Sequence, residues 1–217
     1  MNKIASFYTS SVGRKLLMGL SGFFLLSFLV VHLYINLFLL KQDRGSTFDA
    51  YAEFMATYPL IRPLEIVLFA GFLLHAIVGG WLWLTNRMAR PVRYAVNRAS
   101  ENSTLSSRIA FWTGAFVLLF LVIHVNTFFV RSRFFPDGTT MYERVEEAFH
   151  SPLYVSFYLV ALVFLGYHLK HGVQSAFQTL GLHDPRYAWA VTAIGVVFWL
   201  LFPIAFAVLP LYFLLAH

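Results

Sequence analysis

Four histidines stand inside long apolar runs of this chain: His32, His75, His124 and His168. Two are followed by a glycine four residues on, as His75-Ala-Ile-Val-Gly79 and His168-Leu-Lys-His171-Gly172. On a helix four residues turn through about 400°, so each glycine lies on its histidine's own face, one turn further along. An imidazole with no side chain beside it leaves room for a flat, bulky ligand. Haem iron takes an imidazole above its ring and another below. The chemistry this pattern points to is bis-histidine ligation of haem, with Gly79 and Gly172 bordering the macrocycle. The competing reading for any one ring is a neutral histidine hydrogen-bonded across helices. Four of them, one in each of the first four apolar runs, weigh against it, because ionisable groups at such depth are rare and functional by default.

The elements that must position these rings follow from composition. The 217 residues are 59% hydrophobic and only 12% charged, with mean hydropathy +0.69. That is the composition of a membrane protein. There is no cysteine, which excludes iron–sulfur ligation by this chain, covalent c-type haem, thiolate catalysis and disulfides. The net charge of +6 does not by itself indicate nucleic acid, and no nucleic-acid partner is expected. Apolar runs long enough to span a bilayer read as about 16–40, 64–84, 109–130, 152–174 and 188–215. The expected fold is all-α, with five transmembrane helices in one domain over 1–217, four of them forming a haem-binding bundle. No internal repeat is read beyond the histidine spacing. Helical stripes at Phe48, Tyr51, Phe54, Met55 and Tyr58, and at Met141, Val145, Ala148 and Phe149, could lie flat at the outer interface.

Basic residues orient the chain. With the N-terminus inside, the inner segments hold Lys3, Arg14, Lys15, Arg87, Arg90, Arg93, Arg98, Arg108, Lys170 and Arg186; the outer segments hold six. Acidic residues run the other way, with only Glu101 and Asp184 inside. Depth then sorts the histidines. His32 and His124 fall roughly 6 Å past the middle of outward-running helices, at 1.5 Å per residue. His75 and His168 fall about 2–5 Å past the middle of inward-running ones. This predicts an outer pair, His32 with His124, and an inner pair, His75 with His168, each from parallel helices on a bundle diagonal. His171, one turn after His168, stays open as the alternative ligand. His150, His183 and His217 read as interfacial.

The order and spacing of the four histidines, 43, 49 and 44 residues apart, carry a resemblance. So do Ser10-Ser-Val-Gly-Arg-Lys-Leu-Leu-Met-Gly-Leu-Ser-Gly22 leading to Val31-His32-Leu33, Ile123-His124-Val125, and Tyr167-His168 through Phe177-Gln-Thr-Leu-Gly181. Over nearly its whole length the chain resembles the five-helix, di-haem cytochrome b membrane anchor of succinate:quinone oxidoreductases and quinol:fumarate reductases. The resemblance implies two haem b groups and a bacterial cytoplasmic membrane location. It implies a flavoprotein and an iron–sulfur protein as partners on the inner face, a quinone (typically menaquinone) as electron acceptor, and no dicarboxylate site in this chain. One fumarate reductase of that family carries a proton-conducting glutamate two residues before the helix-four ligand. Here that position is Gly166, which favours succinate oxidation. For the quinone, Asn36, Glu65 and Asn126 are candidate contacts on the outer side. The rival readings are a cytochrome b subunit of a hydrogenase or formate dehydrogenase, and a transporter whose histidines relay protons without haem.

Overall fold

The computed structural model of the chain describes residues 10–89, 103–182 and 184–215. Lys3, Arg90, Arg93, Arg98, Glu101, His183 and His217, which entered the sequence reading, lie outside them. The helices in chain order are α1 (Ser11–Leu40), α2 (Ser46–Thr57), α3 (Ile61–Met88), α4 (Leu105–Phe134), α5 (Met141–Phe149), α6 (Pro152–Thr179) and α7 (Pro185–Leu215). Five of them, all but α2 and α5, are long and apolar enough to cross a membrane. No strand occurs among the described residues.

Most of the spans overrun the apolar runs that mark them. An apolar run ends where the bilayer ends, but a helix ends where its backbone groups find other partners. Thus α1 starts at the cap Ser10, whose Oγ accepts from Gly13 N at 3.0 Å. Likewise α4 starts at Thr104, which accepts from Ser107 N at 3.2 Å. Ser151 caps α6, with Pro152 in its first turn. At the other end, Lys170 and Gln174 do not stop α6, which runs on to Thr179.

The hub is α6. Its stripe of buried residues, Val155, Tyr158, Leu162, Gly166, Val173 and Ala176, recurs at helical spacing. It packs against α1, α4 and α7, while α1 also packs on α3 and a slighter seam joins α3 to α4. In that ring of four, α1 faces α4 across one diagonal and α3 faces α6 across the other. The fifth span, α7, lies outside against α6.

Where α7 meets α6 the backbones come very close. Pro203 has no N–H to give to the Trp199 carbonyl four residues earlier, and its ring pushes that carbonyl outward. A wide turn at Val197–Leu201 accommodates it. The carbonyl faces Gly166, where a Cβ would lie 2.8 Å from the oxygen. Glycine at 166 is therefore required by α7, and the glutamate of the resembling fumarate reductase has no room here.

The end of the bundle where α1 begins (the near end) carries cations leaning on indoles, Arg14 on Trp81 and Arg87 on Trp83, while deeper in the bundle Lys170 leans on Trp199 at 4.6 Å. Such pairs suit a membrane interface. The far end is closed by α2 and α5. These helices turn Phe48, Val145 and Phe149 into a cluster with Leu39, Val155, Tyr158, Leu209 and Phe213. Tyr51, Phe54 and Tyr58 stay exposed, so only part of the first stripe is used. The two helices are tied by Asp49, whose Oδ1 accepts from Tyr142 N at 2.8 Å. Gly45 opens α2 with φ +83°, and a Cβ there would sit 2.2 Å from the Tyr142 ring.

Gly45→Ala should therefore destabilise the far end by about 2–3 kcal/mol, from left-handed backbone plus overlap. Gly138→Ala, at φ +84° with nothing within 4 Å, should cost only about 1 kcal/mol. Thermal unfolding of the two solubilised variants measures the difference.

Candidate functional site

The two diagonals bring the membrane histidines together in pairs. His32 of α1 and His124 of α4 have ring centres 5.8 Å apart at an interplanar angle of 84°. His75 of α3 and His168 of α6 stand 6.2 Å apart at 77°. An imidazole nitrogen lies about 1.1 Å from its ring centre and about 2.0 Å from a bound metal, so two rings sharing one metal stand about 6.2 Å apart. His75 and His168 have that spacing, and His32 and His124, at 5.8 Å, come close to it. The pairs are those expected from depth.

Each ring is held through Nδ1. Ser21 Oγ is 3.1 Å from Nδ1 of His75 and gives its own hydrogen to the Met18 carbonyl at 3.1 Å. With its one hydrogen on that carbonyl, the hydroxyl is an acceptor for His75, which then carries its proton on Nδ1. Thr113 repeats the device: its hydroxyl donates to the Ala110 carbonyl at 3.0 Å, and Nδ1 of His168 lies 3.5 Å from Thr113 Oγ1 and 3.3 Å from Ala110 O. A carbonyl only accepts, so His168 too is protonated on Nδ1. In both rings the Nε2 lone pair is left for a metal. This is how ligating histidines are oriented in metal sites generally. Among the described residues, Nε2 of all four rings makes no protein hydrogen bond.

The other pair is wired differently. Nδ1 of His124 is 2.6 Å from the hydroxyl of Tyr158. Asn36 donates its amide to the His32 carbonyl at 2.8 Å and stands 3.4 Å from Nδ1 of His32. Aromatic rings surround this pair: Phe28 and Phe206 beside His32 at 5.3 and 5.8 Å, Phe120 and Phe128 beside His124 at 5.5 and 5.2 Å. Phe206 comes from α7, so the fifth span reaches the pair although it lies outside the bundle.

No protein-family model, no curated protein and no solved structure matches this chain. The site must be read from its own geometry.

The glycines singled out by spacing are not those that touch the rings. A Cβ at Gly79 would meet the Met18 thioether of α1 at 3.3 Å, and one at Gly172 would meet nothing within 4 Å. The glycines against the imidazoles are Gly22 of α1, where a Cβ would lie 3.6 Å from His75 Cε1, and Gly114 of α4, where it would lie 2.9 Å from His168 Cε1. Ser21, Thr113, Gly22, Gly114 and Tyr158 were missed because their roles lie on a neighbouring helix. His171, one turn beyond His168, is partly buried and makes no ring contact with another histidine among the described residues.

The three outer-side candidates separate. Asn36 belongs to the His32 environment. Glu65 is paired with Arg62 at 3.0 Å in the first turns of α3. Asn126 begins a wide turn of α4, Asn126–Val130, a distortion frequent at functional sites. It lines a cleft of about 330 Å³ with Val130, Arg131, Phe135, Asp137 and Arg144. Arg144 is buried, its Nη2 2.7 Å from Asp137 Oδ1 and its Nε without a partner among the described residues.

The Thr139 backbone N–H, then its hydroxyl and Arg144, hold the Asp137 carboxyl down to about 2 from its ordinary 3.8. A depressed carboxylate contributes stability above its unfolded value and loses it as pH falls through the folded one. Thermal stability of the solubilised protein should fall as pH drops from about 4 to about 2, and Asp137→Asn should flatten that part of the profile.

Proposed function

We propose that this chain is a di-haem b membrane subunit that passes electrons through the bilayer to a quinone, as the anchor of a succinate:quinone oxidoreductase. The observation that carries this is the pair of imidazole couples, each at metal-sharing separation and each on a different diagonal of one four-helix bundle. Haem, when bound, supplies an iron that gains and loses one electron. The chain's own residues would do the rest. His32 and His124 ligate one haem; His75 and His168 ligate the other. Ser21 and Thr113 fix the donor nitrogen of the second couple. The apolar span walls exclude water.

In this reading the near end, with Arg14, Lys15, Arg87, Arg108, Lys170 and Arg186, faces inside and meets an iron–sulfur subunit, itself joined to a flavoprotein. The quinone, menaquinone in this proposal, takes its electrons at the opposite end. With Asn36 engaged at His32 and Glu65 at Arg62, Asn126 is the hydrogen-bond donor of choice for a quinone carbonyl. The direction assigned is succinate oxidation, because Gly166 offers no proton-carrying side chain and has no room for one.

The complex purified with its partners should show b-type bands in a reduced-minus-oxidised spectrum and two haems per chain. His124→Ala and His168→Ala should each remove about half of the haem, while His171→Ala keeps both. A chain without b-type bands ends the haem assignment. Haem without a flavin-bearing partner ends the succinate assignment alone.

A further inference from the structure

Ser21-Gly-Phe-Phe-Leu-Leu-Ser-Phe-Leu-Val-Val-His32 and Thr113-Gly-Ala-Phe-Val-Leu-Leu-Phe-Leu-Val-Ile-His124 are identical at seven of twelve positions. The offset is 92 residues throughout, and it becomes 93 at His75 and His168 and at Gly79 and Gly172. The chain thus contains a longer repeat than the histidine spacing alone suggests. The structure repeats with it. Each half is a long helix, a short helix and a long helix: α1, α2, α3 and then α4, α5, α6. Corresponding side chains have corresponding neighbours. Phe28 lies 5.3 Å from His32, and Phe120 lies 5.5 Å from His124. Gly22 abuts His75 and Gly114 abuts His168. Ser21 and Thr113 each donate to the carbonyl three residues back and each face Nδ1 of the second histidine of their own half.

We propose that the two halves are copies of one unit, and that Ser21 and Thr113 are its equivalent positioning residues, which orient His75 and His168 toward one shared metal. Both histidine pairs then join equivalent residues, so both centres sit on the approximate two-fold axis between the halves. The two hydroxyls act on one centre from opposite sides. By accepting the Nδ1 proton, each makes its imidazole a stronger electron donor to iron, which favours the ferric state. The glycine after each hydroxyl lets the ring pass close to the neighbouring helix. The other centre lacks this symmetry: its rings meet the Asn36 amide and the Tyr158 hydroxyl, which are not equivalent positions. The inference rests on the haem reading above.

The test is potentiometry of the purified complex followed by its b-type absorbance, with low-spin haem electron paramagnetic resonance as the second readout. Ser21→Ala and the isosteric Thr113→Val should each raise the midpoint of the same single centre and shift its resonance, leaving the other centre unchanged. Ser21→Thr and Thr113→Ser, which keep the hydroxyl, and the double exchange should match the wild type. If the two hydroxyl-free variants move different centres, or neither centre, the proposal is wrong. It is equally wrong if the hydroxyl-keeping exchanges perturb the centre as much, since packing alone would then explain the effect. A wild-type complex with no b-type spectrum overturns the haem reading itself, whereas a normal wild-type spectrum that the hydroxyl-free variants leave unmoved overturns only this one.

Discussion

An imidazole inside an apolar span is costly, and a polar partner at a ring nitrogen offsets part of that cost, because no water is there to do so. The bundle is arranged around that constraint. All four rings are approached at Nδ1 by a side chain or a carbonyl, and the rings pair across the two diagonals. The helices carrying them must therefore stand in one ring of four with α1 opposite α4 and α3 opposite α6. The small residues follow from the same demand. Gly22 and Gly114 are places where a ring and a neighbouring backbone would otherwise collide.

The remaining elements serve this ring without entering it. Against one side of α6 lies α7, which adds Phe206 beside His32. The far end is closed by α2 and α5, which bury Phe48, Val145 and Phe149 against the last turns of α1 and α7 and the first turns of α6. Hydrophobic sealing at that end matters because a polar cleft lies beside it, holding the buried Arg144 against the Asp137 carboxylate. The near end has a different chemistry, with guanidinium groups resting on indole faces.

Much of this was legible from residue order. A fixed rise of 1.5 Å per residue turns position along a span into depth, so the pairing of His32 with His124 and of His75 with His168 could be worked out before any helix was placed. What could not be worked out were relations between helices. Gly79 shares a helical face with His75, yet that face meets Met18 of α1 at the next turn. The glycine that touches His75 is on α1 itself, and only the packing of α1 on α3 reveals it. The hydroxyls at 21 and 113 were hidden for the same reason, though their common 92-residue offset was a signal available in the sequence. The wide turns in α4 and α7 left no local mark except Pro203. The short helices were visible as stripes, but which side of each stripe would be buried depended on where the spans stopped.

The contact between Gly166 and the Trp199 carbonyl ties two distant positions into one heritable trait. Any side chain at 166 presupposes a straighter α7, hence something other than proline at 203. Proline at 203 in turn tolerates nothing but glycine opposite. In homologous chains these two sites should be exchanged jointly, and the shape of the fifth span should change along with them.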